Sequence, residues 1–309
     1  MPPSPKIAVV GSLNIDRVFE TPRIPRPGET IASTGNATHF GGKGANQVIA
    51  AARAGSNVSL IGCIGNDNDG ARYQDYLQSL GIETGGLIAP NDPAIPTGSA
   101  FIVVDPNGEN MIVTQSGANQ HLSPNNVTRQ TDRLASADAL ILQFECPLPS
   151  VRQAAEIAQE RDVSTILNPS PWNSDFLERP IPSNYLIVNE SEAAALIGIA
   201  PFTKDRLTPQ LLAAAQTEHL VITQGANPTL ALDANGRIYE ASPPSVDPID
   251  TVGAGDAFAG AFATAVAEGR DLNYALRFGN AAGALATESL GAQTSLPNRE
   301  RILALLSDN

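Results

Sequence analysis

The sequence predicts an α/β protein built on a central, mostly parallel sheet, and three observations support this. Short apolar, β-branched runs alternate with longer stretches of helical periodicity, which is typical of parallel strands joined by helical crossovers. Hydrophobic residues make up 42% of the 309 residues and charged residues 17%, a composition that can form a large core. Polar or glycine-rich segments follow several of the apolar runs.

Six apolar runs are predicted as strands of this sheet, at residues 7–10, 58–64, 139–144, 164–167, 185–188 and 220–223. Four stretches with helical spacing or length are predicted as helices flanking the sheet, at residues 45–54, 151–158, 257–267 and 273–288. The third of these helices is apolar on all faces, so we expect it to be buried.

Two stretches interrupt the alternation and predict a small β appendage. Residues 30–40 are polar and extended in character. Residues 97–114 are predicted as two strands around the turn sequence at 105–108, which is typical of a hairpin. We expect the first stretch to pair with this hairpin in a small second sheet.

The charge and cysteine content exclude several classes of protein. The chain has 19 basic and 32 acidic side chains, a formal net charge of -13, which argues against binding to nucleic acid or to an anionic membrane. Cys63 and Cys146 are too few and too far apart for a disulfide framework or a zinc cluster. No segment has the ~18 apolar residues of a membrane span, and no long apolar leader precedes the first strand. We expect a cytoplasmic protein.

The segment at 250–258, with the sequence DTVGAGDAF, contains the strongest candidate for chemistry. Gly253 and Gly255 precede a helical run, so N–H groups of its first turn are accessible to an anion. Asp256 could accept the proton of an attacking hydroxyl while the amides of Gly253, Ala254 and Gly255 stabilise charge on a transferred group. Alternatively, Asp256 only caps the helix.

A second glycine-rich segment, GGKGANQ at 41–47, also begins a helix. Lys43 is one of three lysines in the chain, and its place among glycines favours close approach to a polar ligand. The alternative is a flexible turn with a solvated lysine. Neither glycine-rich segment matches a P-loop or a dinucleotide-binding fingerprint.

Further polar side chains follow predicted strands, where open α/β sheets bind ligands. Asn14 and Asp16 come after the first strand and could hold hydroxyl groups, or could form an Asx turn. Glu145 follows the strand at 139–144 and could accept a hydroxyl or form a loop salt bridge. The sequence at 189–192 begins a helix, where Glu192 could meet Mg²⁺ on a nucleotide or support an N-cap.

In this order and at these separations, the segments resemble the PfkB family of sugar kinases, most closely its kinases of ribose. The resemblance is carried by residues 11–16, 27–30, 41–47, 97–98, 117–119, 168–169, 189–192 and 250–258. It implies a ribokinase-like fold, in which residues 1–309 form a single domain. The small sheet would be a lid over the sugar, formed by about residues 14–40 and 97–115. The activity implied is ATP-dependent phosphorylation of the 5-hydroxyl of D-ribose, giving D-ribose 5-phosphate.

The same resemblance implies roles for individual residues. Asp256 would be the general base, beside an anion hole of Gly253, Ala254 and Gly255. The sugar would be bound by Asn14, Asp16, Gly42, Lys43, Asn46, Glu145 and Asp256. The nucleotide would be bound by Asn189, Thr223, Gln224, Gly225, Ala226, Asn227, Pro228, Gly255 and Asn280. Pro228 stands where such loops often have glycine, which leaves the geometry on the adenine side open.

The resemblance also implies cofactors. Mg²⁺ would accompany ATP, with Glu192 acting on it indirectly. K⁺ would be an activating cation, bound largely by backbone carbonyls of Asp250, Val252, Ala286, Ser289, Gly291 and Ser295.

Two alternative functions stay open at this point. One is a kinase for another furanose, such as fructose or a nucleoside; the low aromatic content of 5% speaks against a shelf for a nucleoside base. The other is a non-catalytic sugar-binding protein, to which a base beside an anion hole would be of no use.

We also expect a homodimer joined through the lid, because four of its residues supply more apolar surface than a cover for a hydrophilic sugar requires: Phe101, Val103, Met111 and Val113.

Overall fold

The computed structural model describes residues 3–307, which form two β-sheets and the helices around them. The strands are β1 (Lys6–Val10), β2 (Asn14–Glu20), β3 (Gly35–Gly41), β4 (Asn57–Cys63), β5 (Glu83–Ile88), β6 (Gly98–Val104), β7 (Asn110–Gln115), β8 (Ala139–Gln143), β9 (Ser164–Asn168), β10 (Ser183–Asn189), β11 (Thr217–Gln224), β12 (Asn227–Leu232) and β13 (Ile238–Ala241). The helices are α1 (Lys43–Arg53), α2 (Asn68–Ser79), α3 (Pro124–Thr128), α4 (Thr131–Ala135), α5 (Leu148–Glu160), α6 (Asp175–Glu178), α7 (Glu190–Ile197), α8 (Pro209–Ala215), α9 (Ala254–Ala267), α10 (Leu272–Ala286), α11 (Ala292–Ser295) and α12 (Arg299–Ser307).

The larger sheet has nine strands in the order β13-β12-β11-β10-β9-β8-β1-β4-β5. Neighbours from β11 to β5 are parallel, and β12 and β13 complete one edge in antiparallel fashion. The chain adds β4 and β5 on one side of β1 and later β8 to β11 on the other, so the strand order reverses at β1. In open α/β sheets, ligands bind at the carboxyl ends of the strands beside such a reversal.

Each face of the larger sheet is covered by its own layer of helices, because successive side chains of a strand point to opposite faces. Ile7 and Val9 of β1 belong to a core shared with α1, α9 and α10, whereas Ala8 and Val10 belong to a core shared with α5 and α8. Strands buried on both faces read as continuous apolar runs, which is why the sequence identified them. The predicted α/β fold with a mainly parallel sheet and a small second sheet is confirmed.

The smaller sheet, which we call the lid sheet, has the order β3-β2-β6-β7. The predicted hairpin is present as β6 and β7, and β2 runs parallel to β6. The expected pairing of residues 30–40 with this hairpin is wrong, since β2 lies between them and β3 begins only at Gly35. Strand β2 was not predicted, because Asn14, Asp16 and Arg17 are polar or charged residues that are more typical of a loop than of a strand.

Three further strands were also missed. Strand β5 contains two adjacent glycines, and β12 includes Pro228, so both lack the β-branched pattern by which the other strands were identified. Strand β13 has only four residues. The helix predicted at 257–267 is confirmed as α9 and starts three residues earlier, at Ala254.

Within residues 3–307, no helix is both long and apolar enough to cross a membrane. The single-domain prediction covers residues 1–309, of which Met1, Pro2, Asp308 and Asn309 lie outside the described residues. The prediction that no apolar leader precedes the first strand also falls partly on Met1 and Pro2.

Candidate active site

The site lies where the strand order of the larger sheet reverses, at the carboxyl ends of β1 and β8. Ser12 follows β1 by two residues and Glu145 follows β8 by two residues. The Ser12 hydroxyl donates a hydrogen bond to Glu145 Oε2, so the two strand ends are joined directly. The parallel arrangement thus brings together residues that are 133 positions apart in the chain.

Glu145 is the acceptor for several donors of the predicted sugar site. Its Oε2 accepts the backbone N–H of Lys43 at 3.0 Å and Asn14 Nδ2 at 3.5 Å. Asn14 is itself oriented by buried Asn119, whose Nδ2 donates to Asn14 Oδ1 at 2.8 Å and to the Leu13 carbonyl at 3.1 Å. The alternative of a loop salt bridge for Glu145 is therefore wrong, since its partners are a hydroxyl, a backbone amide and a side-chain amide.

Asp16 lies on β2 of the lid sheet, in register with His39 of β3, so the Asx-turn alternative is wrong. Its carboxylate covers Gly41, where an added Cβ would be only 2.1 Å from Asp16 Oδ2. Burial, with a contribution from the negative charge of Glu145, raises the pKa of Asp16 to about 7. A carboxyl group in this state gains ionisation when hydroxyl donors replace its lost water.

Gly42 and Lys43 begin α1 beside these carboxylates. Gly42 is the N-cap residue with φ of 91°, and a Cβ there would be 2.8 Å from the Asn14 amide nitrogen. This position therefore requires glycine. Lys43 is half-buried, which contradicts the solvated-lysine alternative, and its pKa is raised chiefly by attraction to Asp256 and further by Glu145 and Glu192, against the opposing effect of burial.

Asp256 lies in the first turn of α9 and is buried. The N-cap residue of this helix is Gly253, with φ of 82°, so the interpretation of Asp256 as a helix cap is wrong. Its Oδ1 accepts Gln47 Nε2 and its Oδ2 accepts Asn46 Nδ2, both at 2.9 Å. Asn46, predicted as a sugar ligand, thus contacts the candidate base directly.

The predicted anion hole consists of N–H groups at the start of α9. The Ala254 N–H donates weakly to the Thr251 carbonyl at 3.3 Å. Among residues 3–307 no acceptor meets the N–H groups of Gly253, Gly255 and Asp256, as expected for the start of a helix. Open space surrounds the position of a Cβ at Gly255. These groups can donate to an anion without displacing a protein partner.

A cavity of about 480 Å³ adjoins this helix start. Gly255, Ala254 and Thr251 line one end, and Phe258 and Gly283 contribute to the wall. Five of the predicted nucleotide residues line it: Thr223, Gly225, Ala226, Gly255 and Asn280. The segment at 243–248 also lines the cavity, with Pro243, Pro244 and Val246 among others. These residues were not predicted, because they are apolar and belong to no motif.

The remaining predicted nucleotide residues stand outside the lining of this cavity: Asn189, Gln224, Asn227 and Pro228. What was predicted as a loop at 223–228 is a tight turn of Gly225 and Ala226 between paired Gln224 and Asn227. Asn280 lies in the cavity wall, where its Oδ1 accepts the Thr229 hydroxyl at 2.6 Å and its Nδ2 donates to the Ala241 carbonyl at 2.8 Å.

Asn189 and Glu192 form a reciprocal capping box at the start of α7, which confirms the N-cap interpretation of this segment. The Asn189 side chain accepts the Glu192 N–H at 2.9 Å, and Glu192 Oε2 accepts the Asn189 N–H at 3.0 Å. Residues 3–307 contain no group of three or more His, Cys, Asp or Glu side chains placed to hold a metal. The indirect role of Glu192 toward Mg²⁺ stays a prediction.

Asp250 joins two segments of the predicted K⁺ site. Its carboxylate accepts the N–H of Val252 at 3.0 Å and of Gly291 at 2.9 Å. Gly253 packs closely on the same region, since a Cβ there would be 2.9 Å from Ala292 Cα. The Asp250 N–H donates to the Thr287 carbonyl at 3.1 Å, which places the end of α10, at Ala286, beside this segment. Ser295 is the last residue of α11, whose N-cap residue is Gly291. Because both carboxylate oxygens of Asp250 accept backbone N–H groups, binding of K⁺ by the carbonyls of the predicted set, Ser289 included, stays a prediction.

Several buried polar residues at the site were given no role from the sequence. They are Ser12, Gln47, Asn119, Gln143 and Gln293, and the half-buried Asn168 lies with them. Gln143 is the last residue of an apolar strand and Gln293 lies in a short helix near the C-terminus, where only tertiary structure shows their partners. Ser12, Gln47, Asn119 and Asn168 do belong to motifs that carried the resemblance, which was the available signal.

Comparison with known proteins identifies the family. A model of the pfkB family of carbohydrate kinases matches residues 4–299. The ribokinase of Haemophilus influenzae is 37% identical over 309 residues, covering 97% of this chain and 98% of that protein, and the ribokinase of Bacillus subtilis is 35% identical over 303 residues, covering 97% and 99%. The structure of Arabidopsis thaliana ribokinase complexed with ribose and ATP superposes with a TM-score of 0.88 at 29% identity, covering 98% and 99%. The chain belongs to the pfkB family of carbohydrate kinases.

Proposed function

We propose that this carbohydrate kinase transfers the γ-phosphoryl group of ATP to the 5-hydroxyl of D-ribose, with Asp256 as the general base. The observation that carries the proposal is the position of Asp256. It is a buried carboxylate in the first turn of α9, hydrogen-bonded to two residues of α1, the helix that begins beside Glu145. Its neighbour Gly255 lines the cavity of about 480 Å³. The similarity to ribokinases over nearly the whole chain supports ribose and ATP as the substrates.

The reaction follows from this arrangement. The Asp256 carboxylate accepts the proton of the 5-hydroxyl as the sugar oxygen attacks the γ-phosphorus. The bond from the γ-phosphorus to the β,γ-bridging oxygen breaks, and ADP leaves with that oxygen. Charge on the transferred group is stabilised by N–H groups at Gly253, Gly255 and Asp256, which have no other acceptor among residues 3–307. Lys43, held protonated by the nearby carboxylates, adds positive charge at the same place.

The sugar is held by groups from both sheets. Asp16 and Asn14 come from the lid sheet, whereas Glu145 and the GGKG segment belong to the larger sheet and its first helix. Carboxylates accept hydrogen bonds from sugar hydroxyls, and charged acceptors make stronger bonds than neutral ones. The ring of donors and acceptors around Glu145 therefore suits a small polyhydroxylated sugar.

Two cations complete the proposal. Mg²⁺ bound to the ATP phosphates would supply positive charge for the transfer, with Glu192 acting on it indirectly. K⁺ binds beside the anion hole, at Asp250 and the carbonyls of the adjacent segments. Because Asp250 joins Val252 to Gly291, an ion here would stabilise the loop that ends in Gly253.

The lid sheet is the proposed surface of a homodimer. The strand register places Phe101, Val103, Met111 and Val113 on the face opposite to Asp16. Phe101, Met111 and Val113 are 41%, 49% and 65% exposed. A twofold partner that contributes the same patch would remove this apolar surface from water.

The two buried thiols, Cys63 and Cys146, fit the proposed cytoplasmic location.

The test is an ADP-release assay with D-ribose, 2-deoxy-D-ribose, D-fructose and adenosine as acceptors. We expect D-ribose to give the highest kcat/KM. Asp256→Asn should keep sugar binding by calorimetry but lower kcat by about 10²- to 10⁴-fold. The matched control is Asp271→Asn, which alters the N-cap carboxylate of the neighbouring helix α10 and should retain activity. Near-normal turnover of Asp256→Asn would exclude it as the base.

A further inference from the structure

Two chains of side-chain hydrogen bonds converge on Asp256, one on each carboxylate oxygen. The first runs through Gln47 to Gln143 and Asn168, and the second runs through Asn46 to Gln293 and Tyr73. All of these residues except Asn168 are buried, with Gln47 and Gln143 fully inaccessible to solvent. The reaction proposed above uses only Asp256 at the centre of this network.

In the first chain of hydrogen bonds, a backbone carbonyl determines which group of each amide donates and which accepts. Asn168 Nδ2 donates to the Ile187 carbonyl at 2.9 Å, so its Oδ1 faces the site as an acceptor. Gln47 must therefore present Nε2, which donates to Asn168 Oδ1 at 3.2 Å and to Asp256 Oδ1 at 2.9 Å. Gln47 Oε1 then accepts Gln143 Nε2 at 2.7 Å. If the side-chain amide of any of these residues were flipped by 180°, two donors or two acceptors would face each other.

The second chain is set in the same way at another backbone carbonyl. Burial raises the pKa of Tyr73, so its hydroxyl keeps the proton and donates to the Gly41 carbonyl at 2.5 Å. Its oxygen accepts Gln293 Nε2 at 2.7 Å, and the same nitrogen donates to Asn46 Oδ1 at 2.9 Å. Asn46 is left with Nδ2 for Asp256 Oδ2.

Both oxygens of Asp256 therefore meet donors whose direction is imposed from outside the site. Two donors on different oxygens fix the plane of the carboxylate. A general base needs this property, since it must be aimed at one hydroxyl.

We propose that Gln47 and Gln293 are positioning residues, which hold the Asp256 carboxylate aimed at the sugar hydroxyl. This proposal rests on the role of Asp256 as the base in the proposed function. Gln47 acts by direct contact, and Gln293 acts by fixing the amide of Asn46. Neither side chain accepts or donates the transferred proton.

The test uses Gln47→Met and Gln293→Met, which remove the donors at similar volume. In steady-state assays with D-ribose and MgATP, we expect kcat to fall about 10- to 100-fold and the KM for ribose to stay within about threefold. The kcat of Gln47→Glu should fall further than that of Gln47→Met, because Gln47→Glu places a second carboxyl group against Asp256 Oδ1.

Thr264→Val is the matched control for a purely structural effect. Thr264 lies on the same helix as Asp256, is fully buried and forms a 2.9 Å hydrogen bond with Ser56, remote from the site. We expect Thr264→Val to lower the melting temperature while kcat and the KM for ribose match those of the wild type. Glutamine variants that behave like Thr264→Val would overturn the proposal.

Asp256→Asn separates failure of this inference from failure of the proposed function. If Asp256→Asn turns over normally, the base is misassigned and both proposals fail. If Asp256→Asn is inactive while Gln47→Met and Gln293→Met keep the wild-type kcat, only the positioning role fails. Because Gln47 lies on α1 and Gln293 on α11, misfolding of one variant leaves the other as an independent test.

Discussion

Binding of D-ribose in the absence of nucleotide should depend on pH through Asp16. The pKa of Asp16 is raised to about 7 by burial and by Glu145, so the free protein carries a mixture of protonated and ionised Asp16 near neutrality. The ionised carboxylate accepts sugar hydroxyls and forms the stronger hydrogen bonds. Affinity for D-ribose should therefore rise with pH.

The size of the effect follows from this value. With a pKa of about 7, about a tenth of Asp16 is ionised at pH 6 and about nine tenths at pH 8. If the sugar binds to the ionised form, the association constant rises about tenfold over this interval. Glu145→Gln removes the neighbouring charge at nearly constant volume, so the midpoint of the rise should move to lower pH.

Calorimetric titration with D-ribose from pH 5.5 to 8.5 measures this directly. Asp16→Asn should bind more weakly and show no rise. The titratable neighbour in register with Asp16 is His39, so His39→Gln is the control and should retain the rise. A wild-type association constant that stays constant across this range would refute the reasoning, and loss of the rise in His39→Gln would assign it to the imidazole.

Four other outcomes follow from the structure. Gly41→Ala should weaken D-ribose binding by about tenfold or more without affecting ATP, because its Cβ would lie 2.1 Å from Asp16 Oδ2; equal losses for both ligands would indicate general damage. Turnover should be higher in K⁺ than in Na⁺ or Li⁺, and Asp250→Ala should remove the difference; equal wild-type rates in all three salts would eliminate the cation site. Light scattering at micromolar concentration should give twice the chain mass, and Val103→Asp should shift it toward monomer; a monomer at every concentration would refute the dimer. The raised pKa of Asp16 stabilises the unliganded protein fully below about pH 3.8, and this contribution is lost as the pH rises through about 7, so thermal melts of Asp16→Asn should lack that part of the pH dependence.

Much of the fold was predictable because its strands are buried on both faces. Runs such as Ile7 to Val10 carry the apolar signal directly, and the buried helix α9 is apolar on all sides. Strand β2 was not predictable in this way, since its pattern serves two purposes at once. Ile15 packs into the main core while Asn14 and Asp16 belong to the proposed sugar site, so polar residues stand where the apolar residues of a strand are normally found.

The site was predictable where a motif holds several residues together. Gly42, Lys43, Gly253 and Asp256 lie in glycine-rich segments whose chemistry can be read locally. The partners of Asp256 could not be found by that route. Gln143 is one polar residue within a buried strand, and Gln293 is one of several polar residues near the end of the chain. Their importance comes from tertiary contacts, which local sequence does not encode.

The hydrogen bonds around Asp256 join residues that are 209, 210 and 247 positions apart. A fragment that holds either glycine-rich segment alone therefore contains the carboxylate or its donors, but not both. The proposed catalytic centre is assembled from distant segments of the chain, so no single segment would keep this function if it were placed in another protein. If the chain were divided within residues 198–216, between α7 and β11, each piece would be inert, and activity would return only when the two pieces reassociate. Such a divided kinase would report the association of whatever proteins were fused to its halves.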